Sequence, residues 1–496
     1  MGFEYMKILK NLLYQCKVEL FQYKKQFFIL LAVYLLAFCS IFRANYAYWD
    51  DIGRTYAGYH GWLDWSRYGT ELLATFVHAS WHLTDISPFP QILACAVMAA
   101  GGLIVLVLFK NGNRLGIWHV LAVALTALTP YFLGMISYKF DSPYMALSFL
   151  ASVFPFLYRK SSSRTYIIVS VLCLLVMCTT YQASSGIYPT VALYLVMQDI
   201  LSGHKTKDSL RFLGVSALCY LGALGVFWLL LMRDNGVSVF SLPNLFSFVA
   251  KRYVTYYKII YHDFTKIWIA LIIMLIIIFL YSVCKSAKIN KFAALALGIF
   301  AILAGSFLCF GANLYISRNA YDTRSMYGFN VLLTLMAVFI AFHAKHWIYK
   351  AAYVVLTWCF FVFALTYGNA LSLQQDYMHY RTELLVSDLN DLEIMNSDGV
   401  KSVSIIGDIG YSPAIMNMAE DYPILDRAGH SGDGDGLICT GLGEGIWGGY
   451  YFYNYLNIKN IENGGSDIQD QSLPILKDTM YHTIKGSGNK VVVELK

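Results

Sequence analysis

The chain has 496 residues, a formal net charge of +6, 57% hydrophobic and 16% aromatic residues, and only 14% charged residues. With a mean hydropathy of +0.52, that composition excludes an ordinary soluble domain, a nucleic-acid binder and a disordered chain, and places the sequence among polytopic membrane proteins. The expected fold is mostly α, with a small α/β unit at the C-terminus.

Residues 1–25 read as an amphipathic cytoplasmic helix, with Ile8, Leu9, Leu12 and Leu13 on one side, lying along an anionic leaflet. The first apolar run lacks a small-residue cleavage site, so it is expected to be a retained helix. Runs long enough to cross roughly 30 Å of hydrocarbon recur at 26–42, 90–109, 115–133, 143–158, 165–181, 186–201, 212–232, 266–284, 292–313, 328–343 and 351–370, giving eleven expected spans. One set of connections carries eighteen lysines and arginines against four acids, which makes it cytoplasmic. An odd number of spans then leaves the tail on the outer side, with a membrane domain at 26–370 and an extracytoplasmic domain at 371–496. The ten cysteines show no CxxC pair or His/Cys cluster, so neither disulfides nor zinc are expected.

The first outer loop, 43–89, opens with Trp49-Asp50-Asp51-Ile52-Gly53-Arg54. Two adjacent carboxylates at a membrane boundary push one another's pKa upward and stay ionisable beside a site that excludes bulk water. That is where a general base serves an enzyme with a lipid substrate. Trp62, Trp65, Tyr68, His78, Trp81 and His82 follow; they serve either as an interfacial girdle or as sugar-stacking rings. In the second outer loop, Lys139 and Asp141 either pair with each other or face the bundle interior. The turn Tyr181–Gly186 supplies hydrogen bonds to a sugar or, the reading we favour, close helix approach.

Further along, an aromatic stripe from Leu245 to Ile260 is interleaved with Lys251, Arg252 and Lys258. It fits the phosphate headgroup of a lipid carrier, and an ordinary snorkelling interfacial helix has the same pattern. The loop Ser317–Gly328 holds Arg318, Tyr321 and Arg324. Guanidinium forks bind phosphate oxygens bidentately, as a phosphate leaving group requires; an ion pair with Asp322 is the alternative. Beyond residue 370 the chain turns polar. Strands are expected at Val403–Gly407 and Val491–Val493, with a glycine-rich stretch at 428–449 between them. Asp433-Gly434-Asp435-Gly436 lacks the spacing and terminal glutamate of a calcium loop. The aromatics Trp447 to Tyr455 stack on an acceptor glycan or pack on the membrane domain.

Asp50-Asp51-Ile52-Gly53-Arg54, Gly58-Tyr59, Trp62 and Arg67 together resemble the first outer loop of the serotype-converting O-antigen glucosyltransferases, the Gtr group of the GT-C membrane superfamily. The resemblance extends over the chain's length, its outer Arg/Tyr loop and its polar tail. It implies an inverting hexosyltransferase of the bacterial inner membrane, with its N-terminus cytoplasmic and its C-terminal domain periplasmic. It further implies glucose or a related hexose drawn from a polyprenyl-phosphate donor, an O-antigen or similar glycan acceptor, and no cofactor, metal or nucleic acid. By analogy Asp50 is the base and Asp51 positions Arg54 or the acceptor. Arg324, Arg318 and Lys139 hold phosphate, with Arg54, Tyr59, Trp62, Arg67, Asp141, Lys251, Arg252 and Tyr321 as substrate contacts. A polysaccharide polymerase or ligase would share the topology but place its large loop between spans. A flippase would place charges near the bilayer midplane.

Overall fold

The computed structural model describes residues 21–233, 245–316, 321–427, 436–465 and 473–496. Each of the eleven apolar segments is helical. Among the described residues, seven helices have the length and composition to cross a membrane: Phe89–Phe109, Ser163–Thr180, Thr206–Leu231, Lys266–Ser286, Lys291–Leu308, Thr323–His343 and Trp347–Asn390. An eighth is formed if Ile117–Leu128 and Pro130–Ile136, bent by 63°, count as one. The bend has a local cause. Pro130 offers no N–H to the preceding turn, and Thr129 is driven into an extended conformation with ψ of 142°.

The other three expected spans are shorter helices. The first breaks at Phe38 between Lys24–Ala37 and Cys39–Ala44. Ser142–Val153 passes into a 3₁₀ turn at Phe154–Tyr158, and Ile187–Leu201 has 15 residues. Among the described residues, seven or eight helices therefore have the length and composition of a full crossing, against the eleven expected from the apolar runs. The Thr323–His343 segment is 89% buried over its apolar window and forms the centre of the bundle, whereas Thr206–Leu231, at 22%, lies on its rim. This central helix carries Arg324 at its start, so the arginine projects from the most enclosed element of the bundle.

The helix Ala351–Asn390 has 40 residues, about 60 Å at 1.5 Å per residue. Its apolar half packs in the bundle. Its polar half leaves the bundle and holds the C-terminal unit: Gln374 donates to Gly410 O at 3.0 Å and accepts from Ser412 N at 2.9 Å, and Arg381 donates to Tyr481 O at 2.7 Å and Lys496 O at 2.9 Å. That unit is a five-stranded sheet ordered β2-β1-β5-β4-β3. Its strands are β1 (Lys401–Ile406), β2 (Ile461–Asn463), β3 (Ile475–Asp478), β4 (His482–Ser487) and β5 (Lys490–Leu495). Strand β1 runs parallel to β2 and β5, while β4 is antiparallel to β3 and β5. Val403, Ile484, Val491 and Val493 are fully buried in its core. The strand expected at Val403–Gly407 falls on β1, which ends at Ile406, and the one expected at Val491–Val493 falls inside β5.

Candidate active site

Trp49 enters the site in a strained conformation, with φ of 47°, a region that bulky residues rarely adopt. The strain turns the chain so that Asp50 and Asp51 open the helix Asp50–Ala57, where carboxylates complement the positive end of the helix dipole. The two acids then part company. Asp51 is fully buried, and its Oδ2 accepts the backbone N–H of Lys139 at 2.9 Å and of Tyr48 at 3.3 Å. Burial pushes its carboxyl up to about 8, so water exclusion more than its acidic neighbour shifts it. Asp50 keeps a quarter of its side chain accessible, with Oδ2 3.7 Å from Arg54 Nη1.

Arg54 is buried and bonds the carboxylate of Asp141, which also accepts from the Trp62 indole. The guanidinium lies over the Trp62 ring, 4.5 Å from its centre, with Tyr59 at 5.8 Å. Lys139 pairs with Asp85 at 3.0 Å. Lys139 and Asp141 therefore turn to partners on the first outer loop and not to each other. Asp51 likewise anchors the second loop through its backbone and does not bond Arg54.

Two further arginines complete the cluster. Arg67 lies over the Tyr181 ring at 5.0 Å and donates to Gln182 Oε1 at 3.4 Å. Burial, together with the nearby charge of Arg324, lowers its pKa, although a guanidinium stays charged. Arg324 lies over the Tyr138 ring at 4.6 Å, and its Nη1 is enclosed without a hydrogen-bond partner among the described residues. Asp50 is among the charges acting on Arg54, Arg67 and Arg324. Gly134 makes room for this approach. A Cβ there would meet Thr323 Oγ1 at 2.4 Å and Arg324 N at 3.2 Å, so the bent helix and the arginine turn pack only around a glycine.

Other expected residues fall elsewhere. Lys251 is exposed. Arg252 is buried and donates to Asn313 O at 2.9 Å and Ile316 O at 2.6 Å. Tyr321 is buried against Arg252 and Tyr256. Arg318 lies outside the described residues, as do Asp433, Gly434 and Asp435 of the glycine-rich stretch. Sequence reasoning missed Asp85 and Tyr138, whose only signal was their place in loops already marked by charge, and it placed Tyr181 in a polar turn without assigning its ring to an arginine. It also missed the buried pair Asp263–Arg427. No group of three or more His, Cys, Asp or Glu able to hold a metal occurs among the described residues.

No curated protein and no solved structure matches the chain. The family model of the glucosyl transferases named GtrII matches residues 39–341, a segment containing Asp50, Arg67, Asp141 and Arg324 and ending before the C-terminal sheet. A match over more than half of the sequence, on a bundle of apolar helices, establishes that this membrane protein belongs to the GtrII glucosyl transferase family.

Proposed function

We propose that the protein moves a glucosyl unit, or a related hexose, from a polyprenyl-phosphate carrier to O-antigen or a similar surface polysaccharide, with inversion, on the outer face of the bacterial inner membrane. In this reading residues 1–25 are cytoplasmic, 26–370 form the membrane domain and 371–496 are periplasmic. The acceptor oxygen attacks the anomeric carbon as the bond from that carbon to the phosphate oxygen breaks. The acceptor's proton passes to Asp50, and polyprenyl phosphate leaves with an added negative charge. Such a step needs a base on the acceptor side and fixed positive charge at the leaving group.

The observation that carries the reading is the cluster of accessible Asp50 with Arg67 and Arg324, the latter with an enclosed N–H that no group among the described residues accepts. Arg54 and Lys139 already hold Asp141 and Asp85, so we assign them to positioning, with Asp51 anchoring the two loops on each other. Arg67 and Arg324 are assigned to the departing phosphate.

The test is linkage analysis with mass spectrometry of surface polysaccharide from cells with and without the gene. The expected result is one hexosyl branch that depends on the gene and disappears with Asp50→Asn. A polymerase would change chain length instead, and a flippase would change the amount of lipid-linked precursor while leaving the linkages unaltered. Either outcome overturns the reading.

A further inference from the structure

Beside the cluster lies a cleft of about 870 Å³ that joins the C-terminal sheet to the helix Asp50–Ala57. Its volume is that of a ligand site. It is lined by the carboxyl end of β1 (Ser404 to Ile406) and by Asn463 at the end of β2. These two strands run parallel, and open α/β sheets hold ligands outside the carboxyl ends of their parallel strands. Tyr450 and Tyr453 line it from the sheet's side, and Tyr56 lines it from the helix.

The aromatic run from Tyr450 to Tyr455 divides its labour. Tyr451 and Phe452 are buried in the core, whereas Tyr450 and Tyr453 border the cleft. The Tyr453 hydroxyl donates to Val403 O at 2.7 Å, which fixes its ring against β1. A rigid tyrosine face loses little conformational entropy when a sugar ring stacks on it. The charge of the lining is one-sided. Glu444 and Glu462 contribute carboxylates, and no lysine or arginine is among the described lining residues. Such a lining repels the phosphate of a lipid donor and suits a neutral, hydroxyl-rich chain.

The cleft and the reacting centre share the helix Asp50–Ala57. Tyr56 follows Asp50 by six residues on the same helix, a rise of about 9 Å, and Tyr59 lies within electrostatic reach of both Asp50 and Tyr450. Apart from Tyr56, the lining comes from beyond the segment that the family model matches.

We propose that this cleft binds the glycan acceptor as a neutral oligosaccharide and directs its reacting hydroxyl towards Asp50. The inference rests on the transfer reaction proposed above for the orientation of the glycan, while glycan binding itself is measured separately.

The test uses the full chain in lipid nanodiscs and neutral oligosaccharides released by mild acid from the host's surface polysaccharide, with binding followed by saturation-transfer NMR. Tyr450→Ala should raise the dissociation constant about tenfold, the loss of a contact worth ~1.4 kcal/mol. Tyr450→Phe should retain binding, and Arg324→Ala should leave it unchanged. Glu462→Gln changes an exposed side chain and keeps the test readable if Tyr450→Ala misfolds; it should weaken binding measurably at an unchanged melting temperature. Absence of binding to the wild-type chain would overturn the inference, as would equal binding by Tyr450→Ala and Glu462→Gln, or loss of binding in Arg324→Ala alone. Binding that follows this pattern in a protein that transfers no hexose would support the cleft while removing the proposed reaction.

Discussion

Two clusters of charge in this molecule join carboxylates to guanidiniums across long stretches of chain, and they are built to opposite ends. Asp263 and Arg427 are sealed, 4% and 1% exposed, with Arg427 Nε 3.6 Å from Asp263 Oδ1. The Tyr131 hydroxyl donates to Asp263 Oδ2 at 2.8 Å, and Arg427 donates to the carbonyl of Tyr321. That pair ties the chain beyond the long helix back to the membrane bundle. In the outer cluster, Asp141 and Arg54 are equally enclosed, but Asp50 keeps an accessible edge. The closed pair is shut off from solvent. The open cluster retains capacity for a ligand, so accessibility and not charge content separates the site from the brace.

Mutations at the two clusters should therefore separate activity from stability. The largest effect is expected for Asp50→Asn. Transfer should fall by about 10²–10⁴-fold, the usual contribution of a positioned general base, with the melting temperature in detergent unchanged. Next, Arg324→Ala should lower turnover about 10²–10³-fold, as removal of one charge-stabilising donor does elsewhere. Arg324→Lys should recover only part of it, because an ammonium lacks the planar fork. Steady-state kinetics with a polyprenyl-phosphate-hexose donor measures both.

At the brace the signs reverse. Arg427→Ala leaves Asp263 buried with its ion-pair partner gone and should destabilise the protein by about 3–5 kcal/mol, while the fraction that remains folded turns over normally. Chemical denaturation followed by activity per folded molecule checks this.

The most gradual effect, one pH unit at a time, is a pH dependence carried by Asp51. Burial raises its carboxyl from 3.8 to about 8 in the folded protein, so the folded state holds a proton that the unfolded state has released. The associated stability is fully present below about pH 4, declines as pH rises and is lost above about pH 8. The slope in between is at most about 1.4 kcal/mol per pH unit. Melting temperatures between pH 5 and 9 should fall for the wild-type chain and stay level for Asp51→Asn, whose amide oxygen still accepts the two backbone N–H groups.

The comparison also explains what was legible in the sequence. Apolar runs of about twenty residues have few alternatives to helix, so the helical segments were readable, and the adjacent acids in an aromatic loop marked the stretch that the fold shapes into the helix Asp50–Ala57. Where those helices bend or break was not readable, because the 63° bend at Pro130 and the break at Phe38 depend on packing. Strand β4, His482–Ser487, carries a polar sequence in a buried position between β3 and β5, which alternation alone does not reveal. The site's partners were hidden for a related reason. Arg54 meets Asp141 and Lys139 meets Asp85 across 87 and 54 residues, and Asp263 meets Arg427 across a still longer stretch. Only the fold brings such residues together, and a local reading instead offered Asp141 as a neighbour for Lys139.

The most direct measurement is a cryo-EM structure of the protein in nanodiscs with a non-hydrolysable polyprenyl-phosphonate analogue of the sugar donor. The account predicts the phosphonate within hydrogen-bonding distance of Arg67 and Arg324, including Arg324 Nη1, with the anomeric carbon facing Asp50. A phosphonate seated on Lys251, or in the tyrosine-lined cleft away from Arg324, would contradict it.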